Sequence, residues 1–226
     1  MLSPAKWQQA MDQLLDPACQ IHSLRLFHNQ ASHTSHLLTA MATNCSIKTL
    51  DIYELDEGSA SALSTFLQLT THCVTTLRLQ QLQDLAAVST LASALACSTC
   101  IQELQLASLS DDGLQVLAQG LARRPPSPAP LAHLNLLRCS VGVRSATALT
   151  LAASAAPGLH LTALHITESS LQDEALLALL SHGSLQGLSS LTMLDLRNNR
   201  LAARGRLWEG RLGIVLGDMR LGVAAG

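Results

Sequence analysis

A six-residue apolar motif occurs seven times along this chain of 226 residues. The motif has the form h-x-x-L-x-[LI], where h is Ile, Val or Leu, and its copies begin at residues 21, 47, 74, 101, 131, 161 and 191. The spacings between successive copies are 26, 27, 27, 30, 30 and 30 residues. A repeat of this length predicts stacked copies of one small structural unit, because a single unit cannot bury its apolar face alone.

Each repeat predicts one short strand followed by one helix. The copy IQELQL ends in alternating apolar residues, which is typical of a strand with one buried face. Apolar residues then recur three or four positions apart, at Leu114, Leu117 and Leu121, as in an amphipathic helix. We expect Asp111 or Asp112 to cap that helix, because a carboxylate oxygen can accept a free first-turn amide.

These motifs resemble the leucine-rich repeat family, specifically its ribonuclease-inhibitor-like type with a full helix in each repeat. The family pattern L-x-x-L-x-L-x-x-[NC]-x-L is best matched by LTMLDLRNNRL, with Asn199 at the amide-ladder position, and by LAHLNLLRCSV, with Cys139 there. Asn29 holds the same position in the first repeat. The resemblance covers residues 21–201 and implies an α/β solenoid, a horseshoe with a parallel sheet on its concave face and helices on its convex face.

Four repeats depart from the family pattern at the ladder position. It holds Leu55, Leu82 and Leu109 in repeats two to four and Ser169 in repeat six. A leucine side chain cannot hydrogen-bond the neighbouring turns, so we expect the ladder to be interrupted there and apolar packing to hold the turns.

The two ends differ from the repeats. Residues 1–20 predict an N-terminal capping helix, with Ser3 as its cap and Pro4 in its first position. Its apolar face is expected to carry Trp7, Met11, Leu14 and Leu15. Residues 202–226 form a divergent glycine-rich C-terminal tail, in which glycines fall where a seventh helix is expected.

An eight-residue segment, RRPPSPAP at 123–130, interrupts the regular spacing between repeats four and five. Its four prolines exclude a helix, and we interpret it as a surface loop.

Composition excludes several classes of partner. The formal net charge is -2, and the chain has only five aromatic residues, which argues against a nucleic-acid partner and against a charged membrane surface. The first fifteen residues lack the uninterrupted apolar core of an export signal. We therefore expect a cytoplasmic, or alternatively nuclear, protein that is not secreted.

Six cysteines occur in the chain, and we expect reduced thiols rather than a disulfide framework. Four of them, Cys19, Cys45, Cys73 and Cys100, lie one or two residues before a repeat begins, so they are predicted to stack in a column at the helix-to-strand turns. A zinc site is the alternative, but only one C-x-x-C pair is present, and small buried thiols are the favoured interpretation. No metal or cofactor is predicted.

The candidate binding residues lie on the outward face of the predicted sheet. Strand residues alternate sides, so the variable motif positions point away from the core. Phe27 and Tyr53 fall side by side there, and aromatic residues flanked by charges are typical of the centre of a protein interface. The candidate set is completed by Arg25, His28, Asp51, Glu54 and Arg78. The alternative is that the two rings merely cover the end of the sheet or meet the N-terminal helix.

Two functions from different classes follow from the resemblance. The first is a non-enzymatic protein-binding module on the concave face, such as an adaptor, a substrate-recognition arm of a ubiquitin ligase, or a sensor or inhibitor arm. The alternative is a GTPase-activating regulator of small GTPases, for which Arg138 or Arg197 would have to stabilise charge on the transferring phosphoryl group.

Overall fold

Most of the chain is described by a computed structural model. The described residues are 4–16, 18–27, 31–42, 44–69, 72–180, 188 and 190–201. The predicted cap Ser3, the candidate residue His28, the ladder residue Asn29 and the predicted tail 202–226 lie outside the described residues.

Helices and strands alternate strictly within the described residues. Their bounds are α1 (Pro4–Leu15), β1 (Ser23–Phe27), α2 (Ala31–Met41), β2 (Thr49–Tyr53), α3 (Glu57–Gln68), β3 (Thr76–Gln80), α4 (Leu85–Cys97), β4 (Glu103–Ala107), α5 (Asp111–Leu121), β5 (Leu131–Leu137), α6 (Val143–Ala155), β6 (Leu159–Thr167), α7 (Asp173–Leu180) and β7 (Met193–Asp195).

The seven strands form one open sheet in the order β1 to β7, and every neighbouring pair is parallel. Each of the seven sequence motifs coincides with one strand, so the predicted alternation of strand and helix is confirmed. The register aligns the motif leucines of neighbouring strands, as for Leu50, Leu77 and Leu104. This α/β arrangement is consistent with a repeat solenoid.

The apolar core lies between the sheet and the helices. The motif leucines of repeats two to seven and the helix residues Leu114, Leu117 and Leu121 are buried in one continuous cluster, and Leu24 of the first repeat is partly buried against it. Each fully buried leucine contributes roughly 1.5–3 kcal/mol. At the first helix, Leu14 is buried, whereas Leu15 is 53% exposed, so the predicted apolar face of α1 was wrong at Leu15. Adjacent helical positions point about 100° apart, and only one of the two can face the core.

The turns that follow the strands are held in two ways. In repeats two to four, Leu55, Leu82 and Leu109 are buried, which confirms the expected apolar packing. In the last three repeats, a polar side chain reaches back to a carbonyl of the preceding repeat. These bonds are Cys139 Sγ to Leu106 O at 3.6 Å, Ser169 Oγ to Leu136 O at 3.4 Å and Asn199 Nδ2 to Ile166 O at 2.5 Å. Ser169 departs from the family pattern but continues the ladder, because its hydroxyl donates this hydrogen bond.

The start of α5 corrects the predicted cap. Ser110 is the N-cap, and its hydroxyl accepts a hydrogen bond from the Gly113 amide at 3.1 Å. Asp111 instead accepts hydrogen bonds from Gly142 N at 2.7 Å and from Ser145 Oγ at 2.5 Å, at the start of α6. Gly142 is the N-cap of α6 and has no side chain to serve this purpose. Asp111 therefore caps the helix of the following repeat.

Among the described residues, six that are not glycine adopt positive φ angles: five directly follow a strand, and one lies three residues after β7. They are Glu54, Gln81, Ser108, Arg138, Glu168 and Asn198, with φ between 51° and 69°. Their conformation turns the chain while the amide can still bond the next strand, as Glu54 N does to Gln80 O at 3.1 Å. The left-handed region costs a non-glycine residue about 1–2 kcal/mol, so the pairing must offset that cost at each turn.

The proline-rich segment 123–130 is not entirely a surface loop. Arg124 is only 1% exposed, and its NH2 donates to Ile101 O at 2.5 Å, so the surface prediction was wrong at this residue. Burial lowers the pKa of Arg124 to about 10.

Among the helices in the described residues, none combines the length and apolar character needed to cross a membrane.

Candidate functional site

The open sheet face is defined here as the strand side chains that alternate away from the apolar core. Its central row contains one residue from each strand, and strand pairing aligns neighbouring members as Cα partners. The row is Arg25, Asp51, Arg78, Gln105, Asn135, His165 and Asp195. Arg25, Asp51 and Arg78, which the sequence places on the outward face, are therefore neighbours in this row.

The aromatic pair, Phe27 and Tyr53, lies at the β1–β2 end of this face. The residues are Cα partners, and their ring centroids are 5.7 Å apart with planes inclined by 39°. Phe27 is 55% exposed. The Tyr53 hydroxyl accepts a hydrogen bond from Gln81 Nε2 at 2.8 Å, which fixes the orientation of that ring. The pair presents a preoriented apolar surface with a polar edge.

Asp51 lies beside the aromatic pair and links two neighbouring strands. Its Oδ2 is 3.5 Å from Arg25 Nε, and its Oδ1 accepts from Gln80 Nε2 at 3.4 Å. The carboxylate is nearly buried, whereas Arg25 is exposed. Asp51 therefore orients the guanidinium group of Arg25 without presenting its own charge to solvent.

The two remaining described candidates, Arg78 and Glu54, lie on or directly after the strands next to the aromatic pair. Arg78 is aligned with Asp51, and its ion pair is with Glu103 on β4, at 3.8 Å. Glu54 is exposed at the end of β2, and its backbone amide donates to Gln80 O. Five of the seven candidates, namely Arg25, Phe27, Asp51, Tyr53 and Arg78, are thus on three adjacent strands, and Glu54 follows the second of them.

A second polar cluster lies at the β6–β7 end of the face. Arg197 donates from Nε and NH2 to both oxygens of Asp195, at 2.7–3.0 Å. The hydrogen bonds between the two side chains lower the pKa of the Asp195 carboxyl group and raise the pKa of the Arg197 guanidinium group. His165 Nδ1 is 3.5 Å from Asp195 Oδ2. The sequence analysis did not single out this cluster, because His165 and Asp195 come from repeats thirty positions apart and no local pattern links them.

The arginines on this face are matched with carboxylates. The pairs are Arg25–Asp51, Arg78–Glu103, Arg138–Glu168 and Arg197–Asp195. The face therefore carries alternating charges rather than a field of one sign, and it does not favour a strongly charged polymer. The two arginines considered for GTPase regulation, Arg138 and Arg197, would have to break an ion pair to stabilise phosphoryl charge. That alternative stays a prediction.

The cysteines occur as free thiols, but with different burial from that expected. Cys45 and Cys97 are exposed, Cys19, Cys73 and Cys100 are half-buried, and only Cys139 is buried. The interpretation as small buried thiols was therefore wrong for the four cysteines that precede a repeat, Cys19, Cys45, Cys73 and Cys100. Burial raises the pKa of Cys139 to about 11. Within the described part of the chain, no group of three or more His, Cys, Asp or Glu side chains is arranged to hold a metal ion.

Comparison with known protein families finds no family model that matches the chain, and comparison with curated proteins finds no match either.

Proposed function

We propose that this chain is a leucine-rich repeat solenoid of the ribonuclease-inhibitor-like type and that its open sheet face is the concave side of a horseshoe. Three features support this proposal: the seven aligned strands, the helix that follows each of the first six strands, and the polar ladder through Cys139, Ser169 and Asn199. The buried leucines at the same position in repeats two to four extend that ladder as an apolar column. The solenoid presents its variable strand residues on one continuous surface.

The function that this surface supports best is non-enzymatic binding of a protein partner. The observation that carries the proposal is the exposed aromatic pair, Phe27 and Tyr53, beside the ion pair of Arg25 and Asp51. Large rings with restricted orientations lose little conformational entropy on binding, and flanking ion pairs supply a polar rim. An adaptor or recognition arm needs such a surface and needs no reactive group.

Seven strands at about 4.8 Å spacing span roughly 29 Å, which is wide enough for an interface of about 800 Å² on each partner. The matched charges favour a partner surface of mixed polarity, since a strongly acidic or basic partner would gain little from them. We therefore expect apolar anchoring at the aromatic pair and weak dependence of affinity on salt concentration.

The test compares the double variant Phe27→Ala/Tyr53→Ala with a matched control. Leu151→Ala/Val143→Ala removes two exposed apolar side chains from α6, away from the open sheet face. Proteins recovered by the wild-type chain from cell extract are identified, purified and titrated against each variant. We expect the aromatic double variant to lose at least tenfold in affinity, about 1.4 kcal/mol, and the α6 control to bind as the wild type does.

Equal affinity of the wild type and both variants would reject the open sheet face as the binding surface. Greater loss in the α6 variant would move the interface to the helices. Far-ultraviolet circular dichroism of each variant checks that its fold is retained, so that a loss of affinity is not a loss of structure.

A further inference from the structure

The first strand has a strand neighbour on one side only. Among the described residues, the sheet begins at β1, which pairs in parallel with β2. Helix α1 nevertheless precedes β1 and packs against α2, so the layer of helices extends one unit further than the sheet at this end. The side of residues 21–27 that faces away from β2 is named here the β1 edge. It lies where a further strand would continue the sheet.

The apolar residues of the first motif are exposed where those of the later motifs are buried. Ile21 is 37% exposed, whereas the first residue of each later motif is at most 3% exposed. Leu24 is half-buried, whereas the corresponding leucine of each later motif is at most 2% exposed. The later motifs differ in having a strand before them in the sheet. A strand placed on the β1 edge would therefore remove apolar surface of Ile21 and Leu24 from water, which favours binding.

The backbone of β1 offers an amide to such a strand. At the start of the next three strands, the corresponding amide donates to a carbonyl that precedes the neighbouring strand. These bonds are Thr49 N to His22 O at 3.1 Å, Thr76 N to Lys48 O at 3.0 Å and Glu103 N to Thr75 O at 3.1 Å. Ser23 is the Cα partner of Thr49, so its amide points in the same direction, toward the β1 edge. Since the described residues place no strand there, this amide is available to a partner.

The charge of Arg25 selects the chemistry of that partner. Arg25 is the outermost member of the central row; Asp51 lies 3.5 Å from its Nε on the inner side, and its side chain is 61% exposed. A carboxylate opposite Arg25 on the outer side would form a second cross-strand ion pair. A second copy of β1 cannot supply it, because residues 23–27 include no acidic side chain and would bring another arginine instead. The edge therefore favours an acidic partner over self-association.

We propose that the β1 edge binds an extended segment of a protein partner as an additional parallel strand. A parallel segment places like positions side by side, as β1 and β2 do. It fits if it carries apolar residues opposite Ile21 and Leu24 and a carboxylate opposite Arg25, in the pattern apolar-x-x-apolar-acidic-apolar. Main-chain hydrogen bonds supply affinity, and the alternate side chains supply specificity. This surface is distinct from the aromatic pair, and the proposal does not rest on partner binding by the open sheet face.

The second motif of this chain provides a probe with the required pattern. Residues 46–56 read SIKTLDIYELD, and in the folded protein this strand pairs with β1 in parallel and places Asp51 beside Arg25. A fluorescently labelled synthetic peptide of this sequence is titrated with the full chain and followed by fluorescence anisotropy. A control peptide has lysine in place of the aspartate at its sixth position. We expect the lysine peptide to bind the wild-type chain about tenfold more weakly, because it repels Arg25.

Two variants block the edge and leave the aromatic pair in place. Ser23→Pro removes the outward amide, and proline is tolerated in an edge strand where the missing N–H faces solvent. Ile21→Lys places a charge in the exposed apolar surface. Both should weaken binding of the aspartate peptide by about tenfold or more, whereas the control Leu151→Lys, at an exposed position of α6, should bind as the wild type does. In Arg25→Ala, the two peptides should bind equally.

Absence of peptide binding, equal affinity of the wild type for both peptides, or an equal loss in Leu151→Lys would overturn the proposal. A dimer in sedimentation experiments that Ser23→Pro dissociates would assign the edge to a second copy and overturn it too. Circular dichroism identifies a variant that fails to fold; if Ser23→Pro does so, Ile21→Lys and the two peptides decide. Because Phe27→Ala/Tyr53→Ala tests the open sheet face with a natural partner, failure of either test leaves the other intact.

Discussion

At the scale of single residues, the least compensated polar side chain near the sheet is His72. It lies just before β3, is 3% exposed, and stacks on Phe66 with ring centroids 4.8 Å apart. Among the described residues, no well-formed hydrogen bond reaches either ring nitrogen. Burial is the largest influence on its pKa and lowers it, and interaction with the Leu67 backbone opposes the shift only partly. The folded protein therefore holds His72 as the neutral imidazole.

This burial predicts a pH-dependent loss of stability below about pH 6.5, the ordinary pKa of histidine. Above that pH the ring is neutral in both states, and its contribution to stability is fully present. As the pH falls, the unfolded chain binds a proton that the folded chain refuses, so the free energy of unfolding decreases until the pH reaches the folded pKa. Urea unfolding of wild type and His72→Phe between pH 7.5 and 5 measures the difference in slope.

The wild type should lose more stability than His72→Phe over this pH interval, because phenylalanine keeps the stacking but cannot titrate. The exposed His160 provides the control, and His160→Phe should follow the wild-type slope. Parallel slopes for wild type and His72→Phe would show that His72 takes up a proton equally in the folded and unfolded states, which contradicts a lowered pKa.

At the scale of elements, the repeats are joined by side chains that cap the next helix. Asp111 accepts two hydrogen bonds at the start of α6, whereas its neighbour Asp112 is exposed. We predict that Asp111→Ala lowers the free energy of unfolding by about 1–2 kcal/mol, the usual cost of losing a helix cap, and that Asp112→Ala changes it by less than about 0.5 kcal/mol. Chemical denaturation of both variants at pH 7 measures the difference. If both variants lost the same stability, the loss would come from removing a negative charge at the start of α5 and not from the hydrogen bonds of Asp111 to α6.

Close packing of neighbouring helices is the second element-scale constraint. A Cβ added at Gly120 in α5 would lie 2.8 Å from Ala92 Cβ and closer still to the backbone carbonyl of Ala92 in α4. At Gly113, in the same helix, the nearest atom is the end of the Leu109 side chain, also at 2.8 Å. A side chain can rotate away, whereas a helix backbone can yield only if the two repeats separate.

We therefore predict that Gly120→Ala destabilises the protein by about 2 kcal/mol, because overpacking exceeds the gain of about 1 kcal/mol in helix propensity. Gly113→Ala should be within about 0.5 kcal/mol of the wild type, since the two effects are similar in size there. Thermal unfolding of the two variants provides the comparison. A Gly120→Ala variant as stable as the wild type would show that α4 and α5 can separate without cost.

The elements themselves were predictable from sequence, because each strand and helix depends on apolar spacing within a single repeat. All seven motifs became strands, and Leu114, Leu117 and Leu121 became the buried face of α5. The errors concern contacts between repeats. Asp111 caps a helix whose N-cap residue lies 31 positions later, and Ser169 bonds to a carbonyl 33 residues earlier. No local pattern reports such partners.

The candidate site also has features that the sequence predicts and features that it does not. Alternation along each strand placed Phe27 and Tyr53 on one face, and the equal lengths of the repeats made them neighbours. The choice of Glu103 as the ion-pair partner of Arg78 depends on side-chain conformation across strands, which spacing alone does not determine. The positive φ angles were also unpredictable, because those six positions carry Glu, Gln, Ser, Arg and Asn rather than glycine.

For the whole molecule, the stability of each repeat depends on the repeats next to it. Each helix packs against the helices before and after it, and each strand pairs only with adjacent strands. In such an array, stability is approximately a sum of contributions from single repeats and from the interfaces between them. The central repeats have a covered interface on both sides. The first and last described strands each have one strand neighbour, so β1 and β7 should open before the centre does.

Native-state hydrogen exchange tests this gradient. We expect amides of β3 to β5 to exchange only through global unfolding. Amides of β1 and β7 should exchange through local openings of lower free energy, because β1 buries only Leu26 and β7 has three residues. Asp111→Ala, which weakens the interface between α5 and α6, should accelerate exchange in β5 to β7 more than in β1 to β3, whereas Asp112→Ala should not. One common exchange free energy for all seven strands would contradict a neighbour-limited array and indicate a single cooperative unit.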